Sequence, residues 1–166
     1  MLTLTYATQV HACVVEVDKE TGSVEIVDYG AVDDCGIRIH PQIVEGQVHG
    51  ATAHAIGAAL HEDFVYDEDG MLLTANFYDY HVPHALDMPP LKTAAIESAS
   101  PFTPLGAKGM GEGGGGGIHA VCSAIQDALR PAGAAIVYDS CNPSQRVWQM
   151  LNDPESTRAN VVVSST

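Results

Sequence analysis

Gly106-Ala-Lys-Gly-Met-Gly-Glu-Gly-Gly-Gly-Gly-Gly117 packs eight glycines into twelve residues. Whether it is a nucleotide loop decides the fold. Gly109-x-Gly111-x-x-Gly114 satisfies the GxGxxG spacing, but that motif needs a strand before it and a helix after it. The helix is expected, because His119–Leu129 follows as an amphipathic segment. The strand is not, because Pro101 and Pro104 interrupt the approach. Glu112 would also set a negative charge against a pyrophosphate at a helix N-terminus, which attracts anions. No Gly-Lys-Ser/Thr follows, which excludes a P-loop. A flexible linker is the plain alternative, and ordered-looking sequence on both sides argues against it. So many glycines cost backbone entropy and permit close approach. The stretch therefore reads as backbone pressed against something bulky, with Glu112 aimed at it.

Composition narrows the rest. The 166 residues suffice for one domain with a core, and 46% hydrophobic content places the chain outside the disordered class. A net charge of −14 with only seven Lys and Arg argues against nucleic acid and against anionic membrane surfaces. No apolar run approaches the ~20 residues of a membrane span. Met1-Leu-Thr-Leu-Thr-Tyr6 lacks the basic start of a signal peptide. Cys13, Cys35, Cys122 and Cys141 are scattered without a CxxC, so reduced thiols and a cytoplasmic location are expected.

Outward from the glycine run, the periodicities predict a mixed order of elements. Val10–Asp18 and Ser23–Val32 read as strands of a hairpin turning at Lys19-Glu-Thr-Gly22. Pro41 to Glu62 reads as a helix with Pro41 at its first position. Small residues on that helix signal close approach by another element. Phe64-Val-Tyr66 and Met71-Leu-Leu73 predict a second hairpin, and Leu91–Ser98 a strand. His119–Leu129 and Ser144–Leu151 predict two more helices, the latter capped by Asn142 or Ser144. Strands and helices do not alternate as βαβ, so the class is α+β, hairpins packed with two or three helices. Residues 1–150 form one domain and 151–166 a polar tail.

Glu112 is the leading candidate for chemistry. A carboxylate in a glycine-lined, partly dry pocket has a raised pKa and suits a general base; the plain alternative is a solvated loop glutamate. Gln47, in Val44-Glu-Gly-Gln-Val-His-Gly50, offers a donor and an acceptor together, though a lone helical glutamine is usually surface. The eight histidines include pairs seven apart (His54, His61) and three apart (His81, His84). HExxH is absent, so capping, core and surface roles are expected rather than a metal site. No GxSxG supports a hydrolase.

Several motifs, in order, resemble the C-terminal part of the molybdenum-binding large subunit of the xanthine dehydrogenase and aldehyde oxidase family, nearest its aerobic carbon monoxide dehydrogenase-like branch. They are Val15-Glu-Val-Asp18 with Thr21-Gly22, Val32-Asp-Asp-Cys-Gly36, Ile39-His-Pro41, and Val44-Glu-Gly-Gln-Val-His-Gly50. Asp79-Tyr80 with Pro83, Pro104-Leu-Gly-Ala-Lys-Gly-Met-Gly-Glu112, Ala124-Ile-Gln-Asp-Ala128 and Pro143-Ser-Gln-Arg-Val147 complete the series. The resemblance covers roughly residues 5–150.

It implies a molybdopterin cofactor, a cytosine dinucleotide in bacteria, carrying molybdenum. It implies that Glu112 deprotonates the hydroxyl that attacks an electron-poor carbon of an aldehyde, N-heterocycle or similar small substrate. Gln47 would hydrogen-bond the cofactor near the metal, and Asp34, Cys35, Lys108 and Gly109 would border its pterin or nucleotide part. None of these is implied as a direct metal ligand. [2Fe-2S] clusters and FAD would sit on partner subunits. Three departures stand out. His40 replaces a usual Asn, five glycines follow Glu112, and the chain is far shorter than a complete molybdenum subunit. A partner polypeptide carrying the rest is therefore expected, as for a split subunit, with a truncated fragment of a longer subunit as the alternative. The contrasting expectation is a non-catalytic assembly module or remnant of the same fold without cofactor.

Overall fold

The computed structural model describes residues 5–134 and 140–153. β1 (Thr8–Val17) and β2 (Val24–Asp34) pair antiparallel, and β3 (Leu91–Ala95) joins the other edge of β2 in parallel. Between β2 and β3 runs α1 (Pro41–Leu60); α2 (Gly117–Leu129) and α3 (Ser144–Asn152) follow. The α+β class holds, with one correction. β2, α1 and β3 form a parallel crossover, where the sequence reading saw no such alternation. Parallel strands need a long connection, usually helical, and the pairing partner of so short a strand is not written locally.

A bulge in the hairpin decides which side chains face the helices. Val15 pairs with Ile26 but Val14 with Asp28, leaving Val27 over. The extra residue reverses the alternation of β2. Val24 and Ile26 point inward before it, and Tyr29, Ala31 and Asp33 after it. Opposite these on β1 stand Cys13, His11 and Gln9. The inner face is thus aliphatic at the turn end and polar at the other.

α1 begins as expected, with Pro41 at its first turn. Its cap is His40, whose Nδ1 accepts from the Ile43 N–H at 3.3 Å. Asn is among the preferred N-caps, so His40 fills the local role that the usual residue would. α1 and α2 close over the sheet, and α3 covers the hairpin turn end. The core joins Tyr29, Ile56, Leu60, Val121, Ile125 and Met150 with their neighbours. Gly22 lies where a Cβ would meet the Ser144 carbonyl at 2.1 Å.

Three local readings change. The cap of α3 is Pro143, with no side-chain hydrogen bond, while Asn142 is buried and donates its backbone N–H to the Ala59 carbonyl at 2.8 Å. The second hairpin reduces to one bridge, Tyr66 to Leu72. β3 stops at Ala95 because Ser98 turns to Asp34. Of the expected polar tail, residues 154–166 lie outside the described residues.

Candidate functional site

The glycine run divides into two parts with different reasons for being glycine. Its second part packs on protein. A Cβ on Gly114, whose φ is +115°, would meet the Ala51 Cβ and Thr52 N at 2.7 Å. One on Gly117 would meet the Tyr29 hydroxyl at 2.5 Å and the Ala55 Cβ at 2.9 Å. The run therefore crosses α1 at its alanines, which is the close approach the small residues signalled. Gly109 and Gly111, the glycines flanking Met110 before Glu112, have nothing within 4 Å of a notional Cβ. Both line a cavity of about 330 Å³ together with Tyr6, Gln9, Asp33 and Glu112.

A network not foreseen from the sequence holds the run in place. The Gln9 amide donates through Nε2 to the Glu112 carbonyl (3.0 Å) and accepts at Oε1 from the Gly114 N–H (2.5 Å). Both partners are backbone groups with one possible role, so the amide's orientation is determined. Its Oε1 also receives His11 Nε2 at 2.8 Å, which makes that nitrogen the protonated one. His11 Nδ1 is then an acceptor, taking the Tyr29 hydroxyl proton at 2.9 Å. Burial keeps His11 below its ordinary pKa and pushes Tyr29 up to about 12, so both stay neutral. The missed signal was strand alternation: Gln9 and His11 share a face with Val15 and Val17, polar residues where core is expected.

Across the hairpin from Gln9 stands Asp33. Its side chain is buried, 3% exposed, and Oδ2 has no hydrogen-bond partner. Burial holds its pKa above the usual carboxylate range, partly offset by His11. An unpaired buried carboxyl is costly. Here it faces the cavity that also holds the backbone of Gly109 and Gly111.

Asp34, Cys35 and Lys108 come together one residue on. The Lys108 ammonium lies 3.2 Å from Asp34 Oδ2 and donates to Ser98 Oγ at 2.8 Å. Ser98 also hydrogen-bonds Asp34 Oδ2, and the Gly36 N–H donates to Oδ1 at 2.9 Å. These contacts, led by Ser98, hold Asp34 far below the ordinary carboxylate range. Cys35 is buried, which pushes its thiol up, and its carbonyl accepts from the Lys108 N–H at 2.7 Å. The cluster fastens the loop that leads into the glycine run.

Glu112 and Gln47 are both exposed. The dry surroundings expected around Glu112 are not provided by this chain. Gln47 lies four residues before Ala51, on the helix face that the glycine run crosses. The structure thus brings the Glu112 loop to the α1 face that carries Gln47.

The set suits an organic group with hydrogen-bonding ring edges, seated against bare backbone. Two features of the fold support this: the cradle at Gly109 and Gly111, and the orphaned oxygen of Asp33. That is the architecture of a cofactor-binding domain, and the comparisons identify which one. Residues 2–89 match the molybdopterin cofactor-binding domain family. The chain belongs to that family, within the xanthine dehydrogenase, aldehyde oxidase and carbon monoxide dehydrogenase group of molybdenum hydroxylases.

Over 126 residues it is 39% identical to the carbon monoxide dehydrogenase large chain of Afipia carboxidovorans, covering 75% of this chain and 16% of that one. It is 41% identical over 138 residues to the nicotine 6-hydroxylase large subunit of Paenarthrobacter nicotinovorans, covering 82% and 17%. Reconstituted CO dehydrogenase from Oligotropha carboxidovorans superposes with a TM-score of 0.85 at 34% identity, over 97% of this chain and 20% of that chain. Quinoline 2-oxidoreductase from Pseudomonas putida 86 gives 0.79 at 37%, over 87% and 18%. The chain thus spans at most about a fifth of the length of these relatives. Among the described residues no helix is long and apolar enough to cross a membrane. All four cysteines are free thiols.

Proposed function

We propose that this chain supplies the base and part of the cofactor cradle of a molybdenum hydroxylase assembled from more than one polypeptide. Bound molybdopterin, as the cytosine dinucleotide with its molybdenum, provides the oxidising centre for hydroxylating an aldehyde, an N-heterocycle or a similar small substrate. The chain's own residues do the rest. Glu112 takes a proton at its carboxylate from the attacking oxygen, a step worth about 10²–10⁴ in rate. Gln9 fixes the Glu112 carbonyl and the backbone at Gly114. Gln47 presents its amide from α1, and Gly109 lets the cofactor lie on the main chain. Asp33, buried and without a partner at Oδ2, lines the same cavity. Asp34, Cys35 and Lys108 anchor the loop at the border of the group.

The observation that carries this reading is the split in the glycine run: Gly109 and Gly111, just before Glu112, have nothing of this chain within 4 Å of where a Cβ would stand. Exclusion of water from Glu112 falls to the rest of the molybdenum subunit. Exposed Phe77, Tyr78 and Leu86, at 87, 95 and 98%, suit coverage by it. Subunits bearing [2Fe-2S] clusters and FAD complete the assembly, in a cytoplasm that keeps the thiols reduced.

The test is Glu112→Gln in the assembled complex. Turnover should fall by about two orders of magnitude or more while molybdenum content holds. Undiminished turnover would sink the assignment, and natively purified complex lacking molybdenum would favour the assembly-module reading.

A further inference from the structure

The histidines that the sequence left without a common role converge at the far end of α1. His61 is its C-terminal cap residue. His81 and Asp87 belong to the segment 62–90, whose regular structure is one bridge and the turn Ala85–Asp87. A connection that long is unusual in a compact domain unless something ties it down. One nitrogen of His61, one of His81 and one oxygen of Asp87 all lie within 4.8 Å of one another. His81 Nε2 is 3.6 Å from Asp87 Oδ2, and the rings of His61 and His81 have centroids 4.9 Å apart. We propose that His61, His81 and Asp87 form a site for a divalent transition cation of the zinc type, which clamps segment 62–90 onto the end of α1.

The spacing decides between this and a plain hydrogen-bonded cluster. A charge-assisted bond from His81 to Asp87 would be about 2.7–2.9 Å long, and the observed separation exceeds that. Tetrahedral ligands bound at ~2.0–2.1 Å sit ~3.3 Å apart, so the 3.6 Å pair needs only a small adjustment and the widest pair about 1.5 Å. Two imidazoles and one carboxylate leave a fourth position to solvent, as in open zinc sites. His84 stands beside the set, its Nδ1 3.4 Å from Asp87 Oδ2 and its ring 4.9 Å from that of His81.

The His84 N–H donates to Asp87 Oδ2 at 2.6 Å, which fixes the carboxylate's position. The net charge of −14 also concentrates cations near the surface. His61 is fourteen residues after Gln47, about 21 Å along the helix. The site is thus separate from the proposed cofactor cradle and does not depend on it.

The full chain, freed of metal by a chelator, would be titrated with Zn²⁺, and with Co²⁺ for its visible ligand-field bands. The expected result is one ion per chain and a rise in melting temperature. His81→Gln and Asp87→Asn should each weaken binding about tenfold or more, since even an outer partner of a ligand costs 10–100-fold. His54→Gln, on exposed α1 surface, should leave it intact. If one ligand variant does not fold, the other decides. The proposal fails if no ion binds tighter to the parent than to the ligand variants, or if His54→Gln weakens binding equally.

Discussion

The two ends of α1 both carry glycine and histidine and meet opposite surroundings. At the C-terminal end Ile56 and Ala59 are wholly buried. There a Cβ on Gly57 would strike Pro83 Cγ at 2.6 Å. At the N-terminal end Ile43 is 59% exposed, and Gly46 and Gly50 have nothing within 4 Å of where a Cβ would stand. One end is spent on folding this chain. The other carries Gln47 and stays bare in this chain, as the proposed reading requires of a surface that the rest of the molybdenum subunit covers.

The largest test of that contrast is a pair of truncations. Ile56→Ala removes a side chain from the centre of the core and should cost about 2–5 kcal/mol in urea unfolding. Ile43→Ala should stay within about 0.5 kcal/mol. Equal costs would break the contrast. Next comes Gln9→Ala, which severs two hydrogen bonds to the glycine run. A loss of about 1–3 kcal/mol is expected, with faster amide exchange at Gly114. Unchanged exchange would mean that the run is held by α1 alone.

The neighbours Asp33 and Asp34 allow a sharper comparison, because strand alternation sends them to opposite faces and the bulge makes Asp33 the inward one. Asp33 has a raised native pKa, so the folded state keeps a proton that the unfolded chain has lost. Stability from this group falls as pH rises from the unfolded pKa, about 4, through the native one. Asp34 is depressed; its contribution is present above the unfolded pKa and lost as pH falls toward the native one. Asp33→Asn should therefore flatten the decline toward neutral pH, and Asp34→Asn the decline in acid. Urea midpoints across that range check both, and like-signed slopes would refute the assignment.

These cases show where the sequence was legible. The hairpin and α1 were readable because β-branched runs, a turn and Pro41 are local signals. Glu112 and Gln47 were singled out by local sequence and by resemblance. Gln9 and His11 were legible in the unbroken alternation of β1 and were overlooked as polar residues on a core face, whereas the buried state of Asp33 was hidden by a single unpaired residue, Val27, which reverses the facing of β2. The β2–β3 pairing was hidden because it is set by packing across α1. The histidine cluster joins residues twenty and more apart through a loop, so spacings of three and seven pointed elsewhere.

The smallest effect probes the bare end directly. Gly50 lies mid-helix with open space around it, and Gly→Ala there removes unfolded-state freedom at no steric cost. Gly50→Ala should stabilise the isolated chain by about 1 kcal/mol, and Gly46→Ala by a similar amount. A fold whose stability alone mattered would have alanine at both positions. The glycines make sense if a neighbouring polypeptide or the cofactor comes within methyl distance of that face. The same substitutions should then lower molybdenum content or subunit recovery in the assembled complex. A variant that gains stability alone and loses nothing on assembly would show that the exposed end of α1 is surface, and would remove the strongest reason for placing the rest of the site against it.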